Sequence, residues 1–141
     1  MIIGKGKISK NIKFTIGNEP VELVDHYKYL GVFFSKTASF VKTKKHIAEQ
    51  AEKAMFKIFK KVKTLSLPYD IQIDLYEKMV KPILLYSCEI WGIGNIDSLE
   101  KIQLKYLKYI FRLKKSTPTT SIYGELGLTP ISVNIKTRII S

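Results

Sequence analysis

The sequence contains a single cysteine, Cys88, and offers no candidate for a membrane span. One cysteine excludes an internal disulfide and a zinc site built from several thiolates, and it fits a reducing compartment. The most apolar segment, residues 79–93, is interrupted by Lys81, Pro82 and Glu89 and is too short to cross a bilayer. No signal peptide is visible behind the N-terminus, so we expect an intracellular protein, nuclear or cytoplasmic and not secreted.

Acidic and metal-ligating residues are also scarce. The only aspartates are Asp25, Asp70, Asp74 and Asp97. No two carboxylates are adjacent, as a pair of catalytic metal ions would require. Asp70 and Asp74 lie one helical turn apart and could hold a cation, but acids that complement a helix dipole explain them more simply. His26 and His46 have no second ligand at useful spacing. We therefore expect no catalytic residue, no metal and no cofactor in this chain.

Glycines occur as Gly4 and Gly6 and as Gly92 and Gly94. Neither pair is followed by the Lys-Ser/Thr of a phosphate-binding loop, so both are interpreted as linkers. Cys88 has no histidine near it in sequence and is expected to be a buried, inert thiol.

Positive charge is abundant. Twenty-four Lys and Arg against 12 Asp and Glu give a net charge of +12 among 141 residues. Such an excess attracts phosphate backbones or anionic membrane surfaces. Nearly all of it is lysine, which acts as a point charge and suits unspecific phosphate contacts better than base reading. The 45% of hydrophobic residues suffices for a folded core.

The first part of the chain alternates as strands do. Ile12, Phe14 and Ile16, a Gly17-Asn18 turn, and then Val21 and Leu23 predict a β-hairpin. Residues 27–34, rich in aromatics, predict a third strand. Gly31 inside that strand indicates a bulge or a close approach of the backbone.

After Ser35 the apolar period becomes helical. A long uninterrupted helix from about Phe40 is predicted to end before Leu67-Pro68, because a residue before proline disfavours the α region. Its apolar positions are Ile47, Ala51, Ala54, Ile58, Val62 and Leu65. A second helix is expected from Asp70 towards Lys81. Pro82 then either kinks it or begins a segment that runs through Trp91.

Further helices are marked by their start signals. Asp97 and Glu100 fit a capping box for a helix that reaches about Leu113. Thr117-Pro118 and Thr129-Pro130 each resemble a cap residue followed by proline at the first helical position. Strands followed by helices predict an α+β fold: an N-terminal antiparallel hairpin plus a third strand, then a helical bundle.

Two of these helices carry lysine on the side opposite their apolar residues. The first cationic row comprises Lys42, Lys45, Lys53, Lys57, Lys60 and Lys61. The second cationic row comprises Lys101, Lys105, Lys108, Arg112 and Lys115. These rows are either solvated faces or phosphate contacts. A solvated face normally mixes charges for pairing one turn apart, whereas these rows contain almost no acids, which favours phosphate contact.

Aromatic residues interleave with the second row at Tyr106, Tyr109 and Phe111. They could stack on unpaired bases. Core packing is the favoured interpretation for most of them, because they fall on or beside the apolar side of the helix.

Four segments, in order, resemble the reverse transcriptases of LINE-type (non-LTR) retrotransposons. The string YKYLGV at 27–32 resembles the strand that follows their catalytic palm motifs. PILLYSCEIWG at 82–92 resembles their LLYGCEVWG segment, with Ser87 in place of the usual glycine. Residues 99–108 resemble a helix of the form LE..Q..FL, and 123–130 an ELG..P element.

The resemblance implies a role for each part. Residues 1–36 would be the β-rich end of the palm, 37–115 a helical thumb and 116–141 a C-terminal helical extension that we expect to continue further. The primer grip would comprise Tyr27, Lys28, Tyr29, Leu30 and Gly31. The partners would be a template–primer duplex and the fingers and palm of the parent polymerase. The family's Phe/Tyr-x-Asp-Asp hairpin, which binds Mg²⁺, has no match here.

Three functions are therefore open. The first is a fragment of an RNA-directed DNA polymerase that contributes template–primer binding. The second is a non-catalytic basic module that binds nucleic acid in an independent role. The third is a peripheral membrane binder with basic amphipathic helices, which is disfavoured because the apolar faces are wide enough to form a common core.

Overall fold

The computed structural model describes residues 13–141 and divides at Thr43 and Lys44 into two compact units. The predicted strand residue Ile12 and the glycines at 4 and 6 lie outside the described residues. Two antiparallel hairpins precede a set of helices, so the α+β prediction is confirmed.

The first hairpin pairs β1, Phe14–Ile16, with β2, Glu19–Val21. Gly17 has a φ of +62° in the connecting turn, a conformation that glycine adopts without a steric penalty. The predicted hairpin is confirmed in its position and its turn.

The second hairpin pairs β3, His26–Tyr29, with β4, Val32–Ser35. The prediction of one continuous strand over 27–34 is therefore wrong. Leu30 and Gly31 have φ values of +44° and +82°, and positive φ at both central residues is the requirement of a type I′ two-residue hairpin turn. Gly31 marks this reversal and not a bulge.

Residues that follow β4 pack back onto this strand within the first unit. The hydroxyl of Thr43 accepts from the Phe33 N–H at 2.9 Å and donates to the Phe33 carbonyl at 3.0 Å. Val32 is buried, and the rings of Phe34 and Phe40 meet edge to face. These contacts fix β4 against the first residues of the next helix.

The long helix α1 spans Val41–Leu65, which confirms the predicted start and end. It is followed by α2 (Tyr69–Leu75), a π-helical turn (Tyr76–Val80), α3 (Lys81–Leu84), α4 (Cys88–Trp91), α5 (Asp97–Ile110), α6 (Thr119–Leu126) and α7 (Ile131–Ile140). The core of the second unit includes Ile47, Ala51, Met55, Ile58, Val62, Tyr76, Trp91, Leu99, Tyr106 and Leu107. Leu65, predicted on the apolar side of α1, is instead exposed.

The second predicted helix is interrupted before its proline. The Lys81 N–H donates to the Tyr76 carbonyl, five residues back, which widens the turn. Pro82 has no N–H and its ring crowds the carbonyl four residues earlier, so a wide turn ahead of it lets the chain continue into α3.

Two predicted caps differ from the structure. No side-chain cap bond is formed by a box of Asp97 and Glu100; the Asn95 carboxamide accepts from the Asp97 N–H at 2.9 Å. The starts of α6 and α7 are confirmed, but Pro118 and Pro130 stand one position before the first helical residue.

Gly92 is buried, so its interpretation as a linker is wrong. A Cβ placed there would lie 2.5 Å from the Cys88 carbonyl oxygen and 2.6 Å from Cγ2 of Ile135. Only a residue without a side chain allows α7 to approach the end of α4 this closely.

Two buried polar side chains join the helices of the second unit. The Gln103 carboxamide donates to the Thr129 carbonyl at 3.0 Å and accepts from the Ile131 N–H at 2.7 Å, which ties α5 to the start of α7. The Lys44 ammonium donates to the carbonyls of Ile93 and Asn95. Both bonds join α1 to the segment ahead of α5, and burial lowers the pKa of Lys44.

Candidate nucleic-acid interface

Helices α1 and α5 contact each other through charged and aromatic side chains. The Lys105 ammonium lies 2.6 Å from a Glu52 carboxylate oxygen and 4.7 Å from the centre of the Phe56 ring. Further along, Phe59 stacks on Tyr109 with ring centres 3.6 Å apart. These contacts join α1 to α5 within the second unit.

The first cationic row lies on the outward face of α1, and all six of its lysines are exposed. Lys42 belongs to the first unit, where its ammonium lies 5.0 Å from the Phe33 ring centre. The other five belong to the second unit. Towards the end of α1, a shallow groove of about 530 Å³ is lined by Lys57, Lys60, Lys61, Thr64 and Leu65.

The second cationic row is less regular than its spacing predicted. Helix α5 ends at Ile110, so Arg112 and Lys115 follow the helix and do not continue its face. Lys108 donates to the Lys115 carbonyl at 2.7 Å, and Lys105 is paired with Glu52. Lys101 is exposed on α5 itself. The prediction of a continuous helical stripe is wrong in this respect, because the chain turns at Arg112, whose φ is +51°.

The residues predicted for the primer grip form one side and the tip of the second hairpin. Tyr27 and Tyr29 are exposed on β3, and Leu30, at 70% exposure, occupies the turn with Gly31. The Lys28 ammonium lies 5.2 Å from the centre of the Phe33 ring. This hairpin exposes aromatic and apolar side chains at its tip. Contact with a ligand or a protein would remove this apolar surface from water, which is favourable.

The aromatic residues beside the second row divide as the core interpretation predicted. Tyr106 is fully buried, and its hydroxyl donates to the Gln72 carbonyl at 2.6 Å. Burial raises the pKa of Tyr106 above its usual value. Phe111 is half-buried, whereas Tyr109 is stacked on Phe59 and remains 42% exposed.

The pattern of the sequence did not reveal a cleft near the C-terminal ends of α1 and α5. The cleft has a volume of about 460 Å³ and is lined by Val62, Lys63, Ser66, Leu67, Pro68, Tyr69, Gln72, Tyr109, Ile110 and Arg112. About 40 residues separate its two halves along the chain, and only packing of α1 on α5 brings them together. Each segment carries a cation and an exposed tyrosine, Lys63 with Tyr69 and Arg112 with Tyr109, but this pattern alone does not indicate a cleft.

Asp74 and Cys88, two further candidate residues, are accounted for by their surroundings. Asp74 accepts from Lys78 at 2.7 Å, one helical turn away. Cys88 is fully buried as expected, and burial raises the pKa of its thiol. Within residues 13–141, no group of three or more His, Cys, Asp or Glu side chains is placed to hold a metal ion. Over the same range, no helix has both the length and the apolar character of a membrane span.

Comparison with known proteins gives one informative result. The chain is similar to a transposon polymerase. It is 25% identical over 119 residues to a probable RNA-directed DNA polymerase from transposon X-element of Drosophila melanogaster. The matched part is 79% of this chain and 13% of that protein, so the chain spans a small part of the relative's length. The match supports a reverse-transcriptase-like relationship.

No protein-family model matches the chain, and no solved structure matches it either. The similarity to the transposon polymerase therefore stands beside the fold and the surface charge as the basis for assigning a function.

Proposed function

We propose that this chain is a part of the RNA-directed DNA polymerase of a non-LTR retrotransposon and contributes template–primer binding. The observation that carries the proposal is the exposed outward face of α1, while α5, which contacts α1 through Lys105 and Tyr109, adds the exposed Lys101. The exposed lysines of α1 within the second unit are Lys45, Lys53, Lys57, Lys60 and Lys61. The similarity to a transposon RNA-directed DNA polymerase supports the same function.

The charges on α1 fit contact with the phosphate backbone of a nucleic acid. Its acids, Glu49 and Glu52, precede Lys53, and no acid occurs from Lys53 to the end of the helix at Leu65. A run of cations without acids creates a positive field that attracts phosphates whatever the base sequence. Lysine ammonium groups position a backbone without reading base edges. The expected ligand is therefore an RNA–DNA or DNA duplex held with little sequence preference.

The second hairpin is proposed as the primer grip. Exposed Tyr27, Tyr29 and Leu30 offer apolar surface beside a two-residue turn, which suits contact with sugars and bases at a primer end. In this proposal residues 1–36 are the end of the palm, 37–115 the thumb and 116–141 a helical extension. Catalytic carboxylates and Mg²⁺ would belong to the fingers and palm of the parent polymerase.

A non-catalytic nucleic-acid-binding module with an independent role would use the same two rows. The exposure of the cations favours binding in either case. The genomic sequence upstream of the first codon separates these functions: an open frame that encodes an Asp-Asp hairpin supports the polymerase fragment, and its absence supports the independent module.

The binding proposal is tested with the full chain and a fluorescent DNA duplex in anisotropy titrations. Replacing Lys53, Lys57 and Lys60 by Gln should weaken binding, and each lost phosphate contact should reduce the slope of log K against log salt by about 0.9. The matched control replaces Lys13, Lys78 and Lys136, which are exposed outside the two rows. Equal effects of the two triple variants would show that net charge acts without a defined face and would refute the proposal.

A further inference from the structure

The cleft near the ends of α1 and α5 has the size and chemistry of a ligand site. Its volume of about 460 Å³ falls within the range of about 300–1,000 Å³ that small-molecule sites occupy. Its lining combines exposed aromatic rings, two cations and polar groups of the chain, and the described residues that line it include no carboxylate. The cleft lies entirely within the second unit.

Two tyrosines that line the cleft are each backed by a phenylalanine. Tyr109 stacks on Phe59 at 3.6 Å between ring centres, and Tyr69 stacks on Phe111 at 5.7 Å with planes 13° apart. Tyr69 and Tyr109 are nevertheless 53% and 42% exposed, so each ring retains accessible surface. A ring held from behind and open in front is a stacking surface that loses little side-chain entropy on binding.

The cations in the lining come from the two helix ends. Lys63 lies in the last turn of α1, and Arg112 follows α5. The Arg112 N–H donates to the Tyr109 carbonyl at 3.2 Å, which fixes the backbone of both residues in one turn. A guanidinium binds phosphate through paired N–H donors, and an ammonium adds a second charge.

We propose that this cleft binds an unpaired nucleotide, with its base against Tyr69 or Tyr109 and its phosphate at Lys63 and Arg112. The inference rests on the proposed nucleic-acid binding and extends it. Arg112 follows the end of α5 and lines the cleft, so the other cations of the two rows hold a duplex whereas the cleft takes a base outside a duplex. Stacking needs a free base face, which paired bases do not present. The mixed aromatic and cationic lining suits this ligand better than an apolar peptide.

The test measures binding of the full chain to three fluorescent probes: an oligothymidylate, the same strand with abasic sugars, and a blunt duplex. Base–aromatic stacking predicts that removal of the bases weakens single-strand binding by at least about fivefold. Replacing Tyr69 and Tyr109 by Leu should abolish the preference for thymidylate over the abasic strand. If the unmodified chain binds both strands equally, the stacking proposal is refuted.

Lys63→Gln gives an independent arm, because Lys63 is exposed, lines the cleft and belongs to neither cationic row. It should weaken oligothymidylate binding by about threefold or more and change duplex binding no more than the matched Lys136→Gln, exposed on α7, changes it. Loss of duplex and single-strand binding in equal proportion would refute a separate site. If the chain does not bind the duplex but still prefers the thymidylate strand to the abasic strand, the duplex proposal is refuted and the cleft proposal stands.

Discussion

Glu52→Gln should make this protein bind duplex more tightly. The carboxylate of Glu52 on α1 neutralises the Lys105 ammonium on α5 at 2.6 Å. Glutamine has the same shape and still offers an oxygen to Lys105, but it carries no charge. The substitution therefore leaves the contact between α1 and α5 in place and frees one cation for phosphate.

The magnitude follows from exposure and from counterion release. Both partners are more than a third exposed, at 47% and 38%, so the ion pair contributes only about 0–1 kcal/mol to stability. One added phosphate contact steepens the slope of log K against log salt by about 0.9, which adds roughly a 3.5-fold loss of affinity between 50 and 200 mM salt. The gain in affinity should accordingly be largest at low salt.

Anisotropy titrations of a DNA duplex across that salt range measure the slope directly. Glu125→Gln is the matched control, because it removes the same charge from an exposed position on α6. An equal slope for both variants, or a weaker affinity for Glu52→Gln, would show that Lys105 does not lie at the duplex and would refute this reasoning.

Three further predictions concern the fold that presents these faces. Gln103→Leu leaves the buried Ile131 N–H and the Thr129 carbonyl without their partner, so urea unfolding should show a loss of roughly 2–4 kcal/mol; an equal effect of the exposed Gln50→Leu would contradict this. Gly92→Ala forces a Cβ to within 2.6 Å of Ile135 and should cost about 1–3 kcal/mol, whereas Gly124→Ala, with open space around it, should cost nothing. Burial raises the pKa of three tyrosines in the folded chain, so the unfolded chain loses their protons at lower pH. The free energy of unfolding should therefore fall as the pH rises above about 10, by up to about 1.4 kcal/mol per pH unit for each tyrosine. These are Tyr76, Tyr106 and Tyr123. A free energy of unfolding that stays constant to pH 12 would contradict the last prediction. The lowered pKa of Lys44 makes the free energy of unfolding rise with pH, but only below the usual lysine pKa of about 10.5.

Local patterns in the sequence predicted the elements that depend on local forces. The bounds of α1 follow from uninterrupted helical periodicity and from the proline at 68, and the first hairpin follows from alternation around Gly17. The second hairpin was missed because Leu30, with a φ of +44°, is an unusual residue at a position that favours glycine or asparagine. The mistaken continuous strand is thus a case in which turn geometry overrides residue preference.

The candidate site was predictable only in part, because spacing within a helix says nothing about which helix lies alongside. The exposure of the first cationic row follows from the periodicity of α1. The pairing of Lys105 with Glu52, 53 residues away, depends on tertiary packing. The same holds for the cleft, which joins Lys63 to Arg112 through the ends of two helices. The roles proposed for the rows and for the primer-grip hairpin remain predictions.

Lysine acetylation in the presence and absence of a bound duplex tests the central proposal most directly. Mass spectrometry reports the modification of each lysine, so contact is located and not merely detected. The proposal predicts that the duplex protects the first cationic row, especially Lys53, Lys57 and Lys60, together with Lys101. Lys13, Lys78 and Lys136 should react at the same rate with and without the duplex. Protection spread evenly over all exposed lysines, or confined to those three, would contradict the proposed interface.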